Sequence, residues 1–276
     1  MTRLTPDDLA SIPAALPAYD AELESRTGCS LRALACRAAE VGEPRLAGLA
    51  RGVRVAVVPL DSGQGVLPGF AEAVRAIADR LGFDAWITGR PDAGGLAEAY
   101  RSGAGILVTA DEESFIAVNL RTRVVADNNE ATARGFVTAL SLLAGGLAGR
   151  EALVLGCGPV GRATARHLLA QGARVSLCDI RTERARKTAG ELGGEGVSLS
   201  VEEDLEAALL HHRLLFDATP APGFISERHL TPETRIAAPG MPLGLTAGAL
   251  RAIGTRLVHD PLQIGTAVML LEALAG

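Results

Sequence analysis

Lysine is almost missing: of 27 basic residues only Lys187 is one, and it stands in a charged helical stretch. Schiff-base catalysis would rest on that single exposed side chain, which argues against it. Long apolar runs are missing too. None reaches the ~18 to 20 residues of a membrane span, and Asp7 and Asp8 stand where a secretory leader would carry its apolar run. No membrane partner is expected, and the expected location is the cytoplasm. Cys29, Cys36, Cys157 and Cys178 form no Cys-x-x-Cys pair, and the histidines at 167, 211, 212, 229 and 259 are scattered. A disulfide framework and a metal site are therefore both unexpected. Nor is there an excess of positive charge. The formal net charge is -5 and the pI about 5.6, so no broad field exists to hold nucleic acid. A small molecule is the partner that remains.

What is present is 276 residues, 48% of them hydrophobic, enough for two modest domains. Thr5-Pro6-Asp7-Asp8 has the form of a helix start, with a hydroxyl cap, proline in the first turn and acids facing the positive end of the dipole. Residues 6 to about 50 read as helices interrupted by Pro13, Pro17, Gly28 and Pro44. From 53 the pattern changes to strand 53–60, helix 69–81, strand 84–88 and strand 106–109. That β-α-β-α-β succession suggests a small parallel sheet. A helix over 130–144 ends at Gly145-Gly146.

Beyond it strands at 152–155, 174–178, 197–199, 214–218, 235–238 and 256–259 alternate with helices at 160–171, 182–192 and 202–211, and a last helix covers 266–274. The expected fold is α/β, a C-terminal Rossmann-type domain preceded by a smaller α/β domain with an N-terminal helical segment. The boundaries fall at 1–146 and 147–263, with 264–276 crossing back onto the first half. A homodimer through the apolar helices of the first half is compatible with this pattern.

Gly156-Cys157-Gly158-Pro159-Val160-Gly161 follows an apolar strand and opens an amphipathic helix, and Asp179 ends the next strand 23 residues after Gly156. Glycine is common here, 32 of 276 residues, so the motif counts because of that context. Gly156 permits the tight turn, Gly158 lets the backbone approach a pyrophosphate, and Gly161 lets helix and strand pack closely. The anion would sit at the positive helix end. Asp179 is placed to accept from ribose hydroxyls and to repel a 2'-phosphate, favouring NAD. Arg181 and Arg184 nearby argue for NADP, and capping the helix at Thr182 is the plainer role for Asp179. Cys157 reads as a small loop filler. Thr219-Pro220 and Pro239-Gly240 follow later strands, where backbone could approach a nicotinamide ribose. Both also read as ordinary turn-forming connections.

In the first half, Ser62 lies in a glycine-rich loop after one strand and Asp111 just after another, so both should face the same crevice. Ser62 could hold a substrate carboxylate or amine and Asp111 a substrate ammonium, though taken alone each residue is more often a helix cap than a ligand. The chain resembles the PylD family, the pyrroline ring-forming dehydrogenases of pyrrolysine biosynthesis. The residues that carry the resemblance run in order along nearly the whole chain. They are Leu4-Thr5-Pro6-Asp7-Asp8-Leu9, Val58-Pro59 with Ser62-Gly63, Gly82-Phe83-Asp84 with Ile87-Thr88, Ala110-Asp111 with Phe115 and Asn119-Leu120, and the glycine loop. Ala218-Thr219-Pro220, Pro239-Gly240 with Pro242, and Ile264-Gly265-Thr266-Ala267 with Met269-Leu270 complete the set. Asp61, where threonine is usual, and Cys157 depart from the pattern.

The resemblance implies oxidation of L-lysine carrying (3R)-3-methyl-D-ornithine on its side-chain nitrogen by NAD, with loss of ammonia and water and ring closure to L-pyrrolysine. It implies Ser62 and Asp111 as substrate contacts, with Asp111 anchoring an amine or accepting a proton, and Leu4 packing over the substrate. Ile264, Gly265 and Thr266 would line the junction of cofactor and substrate. Two rival readings remain. An amino-acid or shikimate-type NAD(P) dehydrogenase would share the layout but needs a lysine before Lys187. A non-catalytic NAD-binding regulator would show an exposed apolar surface.

Overall fold

A computed structural model describes residues 4–61, 67–194 and 196–276. Ser62 and Gly63, expected to form a ligand-holding loop, lie outside them. The chain opens with four helices, α1 (Pro6–Ala10), α2 (Ile12–Thr27), α3 (Leu31–Ala38) and α4 (Glu43–Ala50). The Thr5 hydroxyl accepts the Asp8 N–H while the Asp8 carboxylate accepts the Thr5 N–H, so two donors at the start of α1 are satisfied reciprocally. Pro13 falls in the first turn of α2, where a missing N–H loses no bond, and Gly28 ends that helix at φ 74. Pro17 lies inside α2 without ending it. The buried Asp20 accepts the Leu31 N–H at 2.6 Å and pairs with Arg80, tying α2 to α3 and to the helix behind the first sheet.

That sheet comprises β1 (Arg54–Val57), β2 (Asp84–Ile87), β3 (Ile106–Ala110), β4 (Phe115–Asn119) and β5 (Val125–Asp127), in the order β2-β1-β3-β4-β5. Helices α5 (Phe70–Leu81) and α6 (Asp92–Arg101) make its crossovers. The first three strands are parallel and the last two antiparallel. The wholly parallel sheet expected from the sequence is therefore a mixed one. The cause is local: Asp111 Oδ1 accepts the N–H groups of Glu113 and Ser114 at 2.7 Å each. This closes a turn that sends the chain straight back. β4 then alternates buried and half-buried residues, with Phe115, Ala117 and Asn119 inward, the period of a strand with one face on the core. The strand succession implied a helix here, and the glycines of α6 hid only its bounds from periodicity. Gly95 is required there because a Cβ would collide with the Arg90 carbonyl.

Helix α7 (Asn128–Ala144), capped by Asp127, leads to the second sheet. Its strands are β6 (Glu151–Leu155), β7 (Arg174–Cys178), β8 (Leu199–Val201), β9 (Leu214–Asp217), β10 (Arg235–Ala238) and β11 (Leu257–His259). Helices α8 (Pro159–Ala170), α9 (Thr182–Leu192), α10 (Leu205–His211), α11 (Ala247–Ile253) and α12 (Gln263–Ala275) complete the chain. The order is β8-β7-β6-β9-β10-β11 and every pairing is parallel. The strand sequence reverses direction between β6 and β9. Such a switch opens a crevice at the carboxyl ends of the strands.

Helix α7 lies along this crevice. Phe136 on it meets Phe216 of β9 edge to face, ring centroids 6.4 Å apart. Helix α12 is buried at 11 of its 13 positions, which makes it a core helix apolar on all sides rather than an amphipathic one. It packs along α7 and against α3, α5 and β4. The approach of α12 to α7 depends on two glycines: a Cβ on Gly135 would collide with Ile264, and one on Gly265 with Thr132. No helix of the described residues is long and apolar enough to cross a membrane.

Candidate functional site

The turn after β6 is set by backbone. Gly156 has φ 88, a region that L side chains rarely occupy. A Cβ on Gly161 would collide with the Gly156 carbonyl, so α8 can sit this close to β6 only with glycine there. Gly158, just before α8, is different. A Cβ there would meet nothing within 4 Å, so the glycine leaves open space before the free N–H groups of the helix. Pro159 begins α8, where it gives up no hydrogen bond. Cys157 points inward, and burial pushes its thiol up to about 12, so it is no thiolate nucleophile.

The neighbouring strand braces this turn. Asp179 Oδ2 accepts the Cys157 N–H at 2.7 Å and Oδ1 accepts the Arg181 N–H at 2.8 Å. Helix α9 starts without a side-chain cap, so Asp179 holds the glycine turn instead of capping at Thr182. A carboxylate offers about four acceptor directions, so capacity remains for sugar hydroxyls. After β9, Thr219 donates its N–H at 3.0 Å and its O–H at 2.7 Å to Asp217 Oδ1. Its hydroxyl proton is thereby committed within the loop. Burial pushes the Asp217 carboxyl up to about 6. Gly240, after β10, lies so near the Thr219 carbonyl that a Cβ would collide with it.

These loops and α7 enclose a cavity of about 270 Å³. Gly158, Pro159, Val160 and Arg184 line one part of it, and Thr219, Pro220, Pro239 and Gly240 the loops after β9 and β10. Asn128, Thr132, Phe136, Asp260 and Gly265 complete the lining from α7 and the approach to α12. The Asn128 Oδ1 is buried and has no hydrogen-bond partner, a polar atom suited to a ligand donor. The open space at Gly158, the adjoining helix end and the free Asn128 oxygen suit a dinucleotide with a polar carboxamide. Among the described residues no group of three or more His, Cys, Asp or Glu could hold a metal ion.

Most residues expected on the cofactor side meet at this cavity. Gly156, Gly161 and Asp179 shape the turn beside it without lining it. Ile264 and Thr266 are fully buried in the first turn of α12, and Gly265 between them lines the cavity. The substrate-side residues are more dispersed. Leu4 packs half-buried against the core. Asp111 is exposed in the β3–β4 turn, its carboxyl held below the usual range by the Ser114 and Glu113 N–H groups. Neither is part of the cavity lining, and Ser62 is outside the described residues. Asn128, Thr132 and Asp260 were not singled out by sequence. Asp260 did carry a signal, because it ends β11 as Asp179 ends β7. Asn128 and Thr132 carried none, since only the packing of α7 over the second sheet brings them here.

Residues 8–126 match the family model for the N-terminal domain of pyrrolysine biosynthesis protein PylD, and residues 139–239 that for shikimate / quinate 5-dehydrogenase. The chain is 31% identical over 274 residues to pyrrolysine synthase of Methanosarcina acetivorans, covering 99% of this chain and 100% of the relative. It is 30% identical over 275 residues to pyrrolysine synthase of Methanosarcina barkeri, covering 99% and 98%. The solved quinate dehydrogenase from Corynebacterium glutamicum in complex with NAD shares the fold, with TM-score 0.55 and 16% identity over 81% of this chain and 94% of that one. Shikimate dehydrogenase from Aquifex aeolicus does likewise, with TM-score 0.53 and 15% identity over 81% and 90%. With two relatives matched end to end and its N-terminal half matching the family's own model, this chain belongs to the PylD family of pyrrolysine biosynthesis proteins.

Proposed function

We propose that the protein is an NAD-dependent dehydrogenase acting on L-lysine that carries (3R)-3-methyl-D-ornithine on its side-chain nitrogen. The carbon bearing the terminal ornithine amine is oxidised to an imine. Water then enters as ammonia leaves, giving an aldehyde. The ornithine α-amine condenses with that aldehyde and expels one water, closing the pyrroline ring of L-pyrrolysine. Nicotinamide, when bound, supplies the acceptor for the hydride.

The chain's own share is placement. Residues 147–263 form the dinucleotide side: the N–H groups at the start of α8, opened by Gly158, receive the pyrophosphate, and Asp179 receives ribose hydroxyls. Thr219, Pro220, Pro239 and Gly240 flank the nicotinamide ribose. Residues 1–146, with α12 folded back on them, form the substrate side. There Asp111, an ionised carboxylate on a two-N–H turn, anchors the amine or takes its proton, with Ser62 and Leu4 as further contacts. Ile264, Gly265 and Thr266 stand at the junction.

The observation that carries this reading is the cavity that joins the glycine turn to α7 and the start of α12. The test is incubation with NAD and the lysine–methylornithine pseudodipeptide. Formation of NADH and a product lighter by ammonia and two hydrogens is expected, and absence of turnover where NAD binds would reject the assignment.

A further inference from the structure

Among the described residues, two charged residues line the cavity. Arg184 stands beyond β7 and Asp260 at the end of β11, on opposite sides of the switch between β6 and β9. The cleft is therefore polarised along its length, cationic beside the glycine turn and anionic at the far end. Asp260 is only 3% exposed. Its Oδ1 accepts the N–H groups of Leu262 at 3.0 Å and Ile264 at 3.3 Å, and its Oδ2 accepts the Tyr19 hydroxyl at 2.6 Å. Three donors and no acceptor is a partner set for a carboxylate, not for a carboxylic acid. The Tyr19 bond also joins α2, near the start of the chain, to the floor of the cleft.

An oxidised nicotinamide ring is cationic and a reduced one is neutral. We propose that Asp260 supplies the negative charge by which this cleft prefers the oxidised ring. Tyr19 is then a positioning residue, acting through Asp260 to keep that carboxylate ionised. The inference rests on the reading of the cleft as a nicotinamide dinucleotide site and adds the residue that sets its redox preference. The cationic amine and iminium of the substrate would gain from the same charge.

Burial raises the Asp260 carboxyl above its ordinary range, and the Tyr19 hydrogen bond acts against that rise. The other ionisable groups around the pair are His259 on β11 and Asp20 and Arg26 on α2. Helix α7 presents only neutral residues, Asn128, Asn129, Thr132 and Phe136, to the cavity.

The measurement is equilibrium binding of NAD+ and of NADH, each titrated separately into the whole protein. Asp260→Asn should weaken NAD+ on the order of tenfold more than NADH, the size expected for one partly screened charge pair. Equal weakening of both forms, or of neither, would overturn the proposal. A merely structural role for Asp260 gives equal weakening. The wild-type protein supplies a second reading should that variant fail to fold: its preference for NAD+ should fade as pH drops and Asp260 takes up a proton. In Tyr19→Phe the fading should begin at higher pH, because the donor that stabilised the charged form is gone. An unmoved pH dependence removes Tyr19 from the proposal. If neither nucleotide binds the wild type, the cofactor reading falls and this inference with it. If both bind and Asp260→Asn shifts them alike, only the inference falls.

Discussion

The two sides of the cleft are made of different material. On the side of the glycine turn the decisive atoms are backbone: the left-handed turn at Gly156, the contact of Gly161 with the Gly156 carbonyl, and the open N–H groups after Gly158. On the other side they are side chains brought from distant parts of the chain, such as Asn128 and Thr132 on α7, Asp260 after β11 and Tyr19 on α2. A site made of backbone must be written as glycine and proline at fixed offsets, because few other residues adopt its geometry. Convergent side chains leave no such spacing, and their positions follow only from tertiary packing.

The sharpest break of this comparison sets Gly161→Ala against Gly158→Ala. The first places a Cβ on the Gly156 carbonyl and should cost about 3 kcal/mol of stability along with nucleotide binding. The second should leave stability nearly unchanged, since its Cβ meets nothing, yet still weaken NAD. Denaturant unfolding paired with NAD titration checks both, and similar unfolding losses would dissolve the distinction.

Next in size is Asp217. Its carboxyl titrates near 6 in the folded chain against an ordinary 3.8, so folding favours the protonated form. The associated stability is complete below the unfolded value and lost as pH rises through the folded one, about 3 kcal/mol by neutral pH. Asp217→Asn keeps an acceptor for Thr219 and should flatten that slope when unfolding is followed from acid to neutral pH. Asp179→Ala orphans the Cys157 and Arg181 N–H groups. It should weaken NAD by about tenfold and reduce the preference for NAD over NADP, read by titration with each. Last comes Asp111→Ala, which removes two turn hydrogen bonds at an exposed site and should lower stability modestly. There kcat/KM for the pseudodipeptide should fall while NAD affinity holds. Full activity would remove Asp111 from the amine site.

The sequence made much of the fold legible for the same reason that it marked the glycine turn. Thr5 and Pro6, Gly28, Gly145 and the apolar runs of β6, β7 and β9 are local devices, and each stands where its chemistry places it. The antiparallel β4 and β5 were missed because Asp111 read as ligand chemistry, whereas its carboxylate closes a turn. Helix α6 was implied by the strand succession but given no bounds, because Gly94 and Gly95 lower helix propensity while Gly95 meets a packing need. Thr219 was legible as a strand-end loop residue, which the structure places on the cavity wall, but not in its bonding, because the Asp217 carboxyl that accepts its hydroxyl hydrogen bond is itself buried by tertiary contacts.

The most direct measurement is a crystal structure grown with NAD and the lysine–methylornithine pseudodipeptide. The expected result is pyrophosphate on the N–H groups after Gly158, the nicotinamide ring toward Asp260, and the terminal amine between that ring and the wall carrying Ser62 and Asp111. A nucleotide seated elsewhere, with the turn from 156 to 161 bare, would contradict it.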